Sequence, residues 1–188
     1  MKSVAVRSGA LSRIQDFYRD RKGVSAVEFA TVLPFMLIAY LGSVEVGNGI
    51  NAKVRVAQTT RTVADLATQY FTIKNADMTG ILSASSAVMA PFSTSSLVIT
   101  LSEVTTDASG NATITWSDSL NGSPRAVGQP VTLPSGLQTP NISLIWSEVK
   151  YAYTPNLGYV MTGTYDLTDK FYLNPRLSAK VCQNTANC

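Results

Sequence analysis

The chain contains no histidine and little charge: only 14% of its 188 residues are Asp, Glu, Lys or Arg, where about a quarter is usual for a soluble domain. Without an imidazole there can be no Ser-His-Asp or Cys-His hydrolytic centre and no His-ligated zinc. Cysteine is nearly absent too. Cys182 and Cys188 are the only two, so a tetrahedral zinc site would lack half its ligands. Glycine-rich phosphate loops and acidic clusters at calcium-loop spacing are missing as well, and the expectation is no catalysis, no cofactor, no metal and no small-molecule substrate. Disorder is excluded by the 45% hydrophobic content. Few charges with much apolar content point to a membrane segment or to an exported surface that is polar but uncharged.

The charge that is present is concentrated at one end. Residues 1–23 hold Lys2, Arg7, Arg13, Arg19, Arg21 and Lys22 against Asp16 and Asp20, a net +4, while the rest of the chain is close to neutral. So short a basic patch, without interleaved aromatics and with an apolar run behind it, argues against nucleic acid and for the cytoplasmic flank of a membrane helix. Residues 29–44 read FATVLPFMLIAYLGSV without a charge, and the apolar character extends over 24–46 with only Glu28 and Glu45 intruding. At 1.5 Å per residue this stretch covers roughly 34 Å, enough for a hydrocarbon core of about 30 Å. The positive-inside bias keeps the N-terminus in the cytoplasm and sends the remainder outside. A cleaved secretory signal fits less well, because the apolar run is long and its exit offers only Gly47-Asn48-Gly49 as small residues. Pro34 removes a backbone donor and crowds the carbonyl of Ala30, so a kink is expected there. A carboxylate at Glu28 calls for either the headgroup layer or a cationic partner.

Arg19-Asp20-Arg21-Lys22-Gly23 stand directly before the apolar run, and a cut after Gly23 would make Val24 the first residue and Glu28 the fifth. This conjunction resembles type IV prepilin-like proteins. Within that class, GVSAVEFATVLPFMLIAYLGSVEVGNGI and the following RVAQTTRTVADLATQ resemble the TadE-like proteins of the tight adherence (Flp) pilus system, and residues 146–182 are more loosely similar to their C-terminal end. The resemblance implies a minor pilin-like subunit in the bacterial inner membrane with its outer domain in the periplasm or on a pilus. A prepilin peptidase would cut between Gly23 and Val24, and Glu28 would neutralise the terminal ammonium of a neighbouring subunit. Other pilin-like subunits and the assembly platform are the implied partners. The competing reading is a permanently anchored single-pass protein whose outer domain is a scaffold or binding module.

Four regions are expected: a basic leader (1–23), a transmembrane helix (24–46), a helical extension (47–75) and an exported β-rich domain (76–188). In the extension Ile50, Val54, Ala57, Ala64, Ala67 and Phe71 recur at helical spacings, and Gly47 and Gly49 predict a bend. From residue 97 the period changes to two. Leu97, Ile99 and Leu101 form one strand, Ala112, Ile114 and Trp116 another, and Asp107 and Gly110 mark the turn of a hairpin between them. Residues 119–141 carry four of the eight prolines and predict a long loop with a short edge strand near Val131. Residues 142–153 predict a third strand and 157–165 a fourth. The fold class is therefore α+β, a long N-terminal helix followed by a small antiparallel sheet. Outside the cell, Cys182 and Cys188 could close a small ring worth at most about 2 kcal/mol, or pair with a neighbour's thiol. Ser147-Glu148-Val149-Lys150 matches a Ser-x-x-Lys catalytic pattern, but on a strand positions three apart point to opposite faces.

Overall fold

The computed structural model describes residues 23–156 and 158–184. The chain divides into two compact units, residues 1–44 and residues 45–188. Helix α1, Val24–Thr68, is continuous across that division and runs through Pro34, Gly47 and Gly49. The bend expected at the two glycines is therefore not a break in the helix. Gly49 is instead a point of close approach, with the side chains of Tyr153 and Met161 3.6–3.7 Å from where a Cβ would stand.

In the second unit α1 ends at Thr68, earlier than the pattern to residue 75 suggests. A two-residue strand β1 (Thr72–Ile73) follows, then a second helix α2 (Asn75–Ser86) and a 3-10 turn at Ala87–Met89. The backbone N–H of Lys74 donates to the Asp77 carboxylate at 3.1 Å, satisfying a donor at the start of α2. Met78, Ile81, Leu82 and Ser85 are buried along one face of α2, standing at i, i+3, i+4 and i+7 of a helical stripe.

The sheet has five antiparallel strands in the order β4-β3-β2-β5-β6: β2 (Leu97–Thr106), β3 (Ala112–Leu120), β4 (Pro130–Val131), β5 (Ser143–Tyr153) and β6 (Tyr165–Leu173). The expected hairpin, edge strand and third strand are all present. The fourth strand lies at Tyr165–Leu173 rather than 157–165. Its alternation of Leu167, Phe171 and Leu173 with Thr168, Lys170 and Tyr172 places the first set against the core, while Gly158 and Gly163 adopt positive φ and belong to a loop. A last short strand, β7 (Cys182–Gln183), pairs in parallel with β1.

The main core lies between the inner face of the sheet and the two helices. Leu97, Ile99 and Leu101 of β2, Ile145, Val149 and Tyr151 of β5, and Ala52, Val56, Val63, Ala64 and Ala67 of α1 meet there. The buried face of α1 keeps Ala64 and Ala67 of the expected stripe but departs from the rest of it: Ile50 is 60% exposed, Val54 is exposed and Phe71 lies beyond the helix, whereas Thr59 and Thr60 are fully buried. Threonine tolerates that position because its hydroxyl returns to the helix, Thr60 donating to the Val56 carbonyl at 2.8 Å and Thr59 to that of Arg55 at 2.9 Å. A bulge changes which face β3 presents. Glu103 pairs with Trp116 and Val104 with Ile114, leaving Thr115 unopposed. Trp116 consequently enters the main core, while Ala112 and Ile114 join Val104, Leu133, Leu144 and Trp146 in a second cluster. Val131, Leu137 and Ile142 from the proline-rich segment pack against this second cluster, so the long loop is the lid of a small core of its own.

Candidate membrane anchor and processing segment

In the described part of the first unit, α1 presents apolar side chains on all sides. Val27, Phe29, Leu33, Phe35, Leu37, Ile38 and Tyr40 are all exposed, Phe35 at 70%. A helix with no polar face cannot rest stably in water, and its length suits a bilayer. The polar side chains inside it are turned back on the backbone: Thr31 donates to the Val27 carbonyl at 2.9 Å and Ser43 to that of Tyr40 at 2.7 Å. These bonds meet the requirement that groups in hydrocarbon be satisfied internally. Gly23 is exposed directly before Val24, the first residue of α1, and Glu28 is exposed one turn further on. Among the described residues no cation lies within ion-pair distance of Glu28. Residues 1–22 of the basic leader (1–23) lie outside the described residues, as does Cys188. Cys182 is buried on β7.

Glu45, the residue that follows the uncharged run, is 2% exposed. Its carboxylate accepts three backbone hydrogen bonds, from Tyr159 at 2.8 Å, Val160 at 2.9 Å and Met161 at 2.7 Å. Sequence reasoning passed over this site, because nothing local to either segment signals the other, 114 residues away.

A second carboxylate, Glu103 on β2, is fully buried. Ser143 donates to it at 2.6 Å and the Val181 backbone N–H at 2.8 Å, while its second oxygen has no partner. Burial pushes this carboxyl above its ordinary range, opposed more weakly by the hydrogen bonds of Ser143 and Val181 and by the charge of Lys180. The Trp116 indole N–H donates to the Val181 carbonyl at 2.6 Å. Val181 is therefore held through both its backbone groups, which fixes the tail beside β1 and sets the position of Cys182.

Outward on the same sheet, the Arg125 guanidinium lies 3.5 Å from the Trp146 ring, donates to Ser102 at 2.8 Å and pairs with Glu148. Lys150 and Lys170 approach Glu148 at 3.6 and 3.8 Å. Ser147 points the other way. It is fully buried and its hydroxyl donates to the Thr60 carbonyl of α1 at 2.6 Å, whereas Lys150 is exposed. The two members of the Ser-x-x-Lys pattern thus stand on opposite faces of β5, and the serine ties sheet to helix. Among the described residues no group of three Cys, Asp or Glu side chains is placed to hold a metal ion.

Among the described residues one helix is long and apolar enough to cross a membrane, and its place ahead of an α+β domain built on an antiparallel sheet fits a single-pass membrane anchor. Residues 23–65 match the family model of the TadE-like proteins, so this segment is similar to theirs. The match covers under a quarter of the chain and begins at Gly23; the looser likeness over residues 146–182 is not part of it. No curated protein and no solved structure matches the chain.

Proposed function

We propose that the protein is a minor pilin-like subunit of a bacterial tight adherence pilus. It is held in the inner membrane by residues 24–46, with its N-terminus cytoplasmic, and processed after Gly23 by a prepilin peptidase. The observation that carries this reading is the coincidence of three boundaries within one residue: the end of the charged leader, the start of the TadE-like match at Gly23, and the start of the exposed apolar helix at Val24. Cleavage there removes the basic flank and leaves an ammonium four residues ahead of Glu28. The carboxylate of one subunit then neutralises the terminus of its neighbour when the helices bundle, which resolves the cost of a charge in an apolar segment. The outer domain supplies contacts to other subunits and to the assembly platform. In the oxidising exterior Cys182 closes a ring with Cys188 that secures the tail beyond Val181.

The test is the N-terminal sequence and intact mass of the chain from its native host, with and without the prepilin peptidase. A peptidase-dependent start at Val24 is expected, together with loss of assembly in Glu28→Ala. An uncut chain confined to the membrane would instead make the outer domain the scaffold of a permanently anchored protein.

A further inference from the structure

We infer that the loop from Gly158 to Gly163 docks on the outer leaflet of the membrane that α1 crosses, held there by Glu45. The inference rests on the membrane-anchor reading but not on cleavage or polymerisation. Counted from Val24, Glu45 stands roughly 32 Å along the helix, at the far edge of a hydrocarbon core of about 30 Å. That places the carboxylate, and whatever is bonded to it, at headgroup depth. The three bonded amides belong to Tyr159, Val160 and Met161, and the Met161 side chain lies on Gly49, one turn beyond Glu45. The loop is therefore fixed at two points on one face of the helix, with its backbone donors turned inward. What it turns outward is apolar, with Tyr159 74% and Val160 50% exposed. Residues 154–165 contain no Asp, Glu, Lys or Arg, so no charged side chain of the segment opposes its approach to the acyl chains. A tyrosine with an aliphatic neighbour suits the boundary layer, where an aromatic ring enters the acyl region and its hydroxyl stays with the headgroups. The loop also shields the Glu45 carboxylate, giving it amide donors where the helix leaves the bilayer.

The test uses the full chain in phosphatidylcholine vesicles whose acyl chains carry bromine either near the ester or near the methyl end. Tyr159→Trp reports the loop and Phe35→Trp the middle of the anchor. Val127→Trp reports an exposed apolar side chain of the proline-rich segment, and the parent with Trp116 and Trp146 serves as background. The expected result is a blue-shifted emission for Tyr159→Trp that is lost to ester-end bromine more than to methyl-end bromine, with Val127→Trp unaffected by either. In a Glu45→Gln background the same probe is expected to shift red and lose most of that quenching, because an amide offers one acceptor oxygen to three donors. Deep quenching of Phe35→Trp alongside an unquenched Tyr159→Trp would overturn the loop proposal while leaving the anchor standing. A blue-shifted but unquenched Tyr159→Trp would mean that protein, such as a second copy, covers the loop, and would overturn it equally. If neither probe were quenched, both readings would fall; quenching that persists in Glu45→Gln would overturn the role of the carboxylate as tether.

Discussion

The two units of this protein use similar side chains in opposite ways. In the anchor, Phe29, Phe35 and Ile38 face outward and the hydroxyls of Thr31 and Ser43 bond to their own helix, so these two polar groups are satisfied without leaving the segment. In the second unit the apolar groups turn inward and the polar ones reach across the chain: Ser147 to Thr60, Trp116 to Val181, Glu45 to the loop at 159–161. The difference follows from the surroundings. A helix in lipid has no hydrophobic driving force for folding against itself, whereas a domain in water gains by removing apolar surface and must then pair the polar groups it has buried.

That contrast predicts that damage to one unit stays there. Trp116→Ala should have the largest effect, removing the biggest side chain of the main core and the hydrogen bond that holds Val181. A loss of about 3–5 kcal/mol is expected, read as unfolding of the second unit in urea while the helical circular dichroism of the detergent-embedded anchor persists. Simultaneous loss of both signals would contradict the separation of units.

Glu103→Gln sharpens the comparison through pH. Burial raises the folded-state pKa of this carboxyl above its unfolded value, so its contribution is fully present below the ordinary carboxylate range and is lost as pH rises through the folded value. Urea midpoints of the parent should therefore decline over that window, whereas those of Glu103→Gln should decline less and exceed the parent's at neutral pH. An identical pH slope would remove Glu103 as the cause.

A smaller effect is expected of Ser147→Ala, about 1 kcal/mol for one buried hydrogen bond between β5 and α1. A much greater loss would imply a role beyond that bond. Smallest of all should be Thr31→Val in the anchor. Its hydroxyl bonds only to its own helix, and the outer domain's unfolding midpoint should move by less than about 0.5 kcal/mol.

The agreement between sequence and structure follows the range of the interactions involved. The apolar anchor, the hairpin around Asp107 and Gly110, the edge strand at Val131 and the β5 strand were legible because their signals are local: an uncharged run, a period of two, a proline at an edge. The fourth strand was misplaced because the uncharged, aromatic stretch before Tyr165 looks more strand-like than the charged one that pairs with β5. Periodicity could not show that 158–163 is held by a carboxylate far away in sequence. The buried stripe of α1 was legible only in part: Ala64 and Ala67 belong to it, whereas Thr59 and Thr60 carry no apolar signal and are buried because their hydroxyls bond back to the helix.

The sequence by itself determined the anchor, the α+β plan and the TadE-like segment at Gly23, because length, charge asymmetry and alternation act over a few turns of chain. Only the tertiary structure decided the rest. It paired Glu45 with a loop and Glu103 with the tail, turned Trp116 and Ile114 to opposite faces across one unopposed residue, and separated Ser147 from Lys150. Each of these depends on the register and packing of segments distant in the chain, where one inserted residue or one buried donor reverses what a local pattern implies.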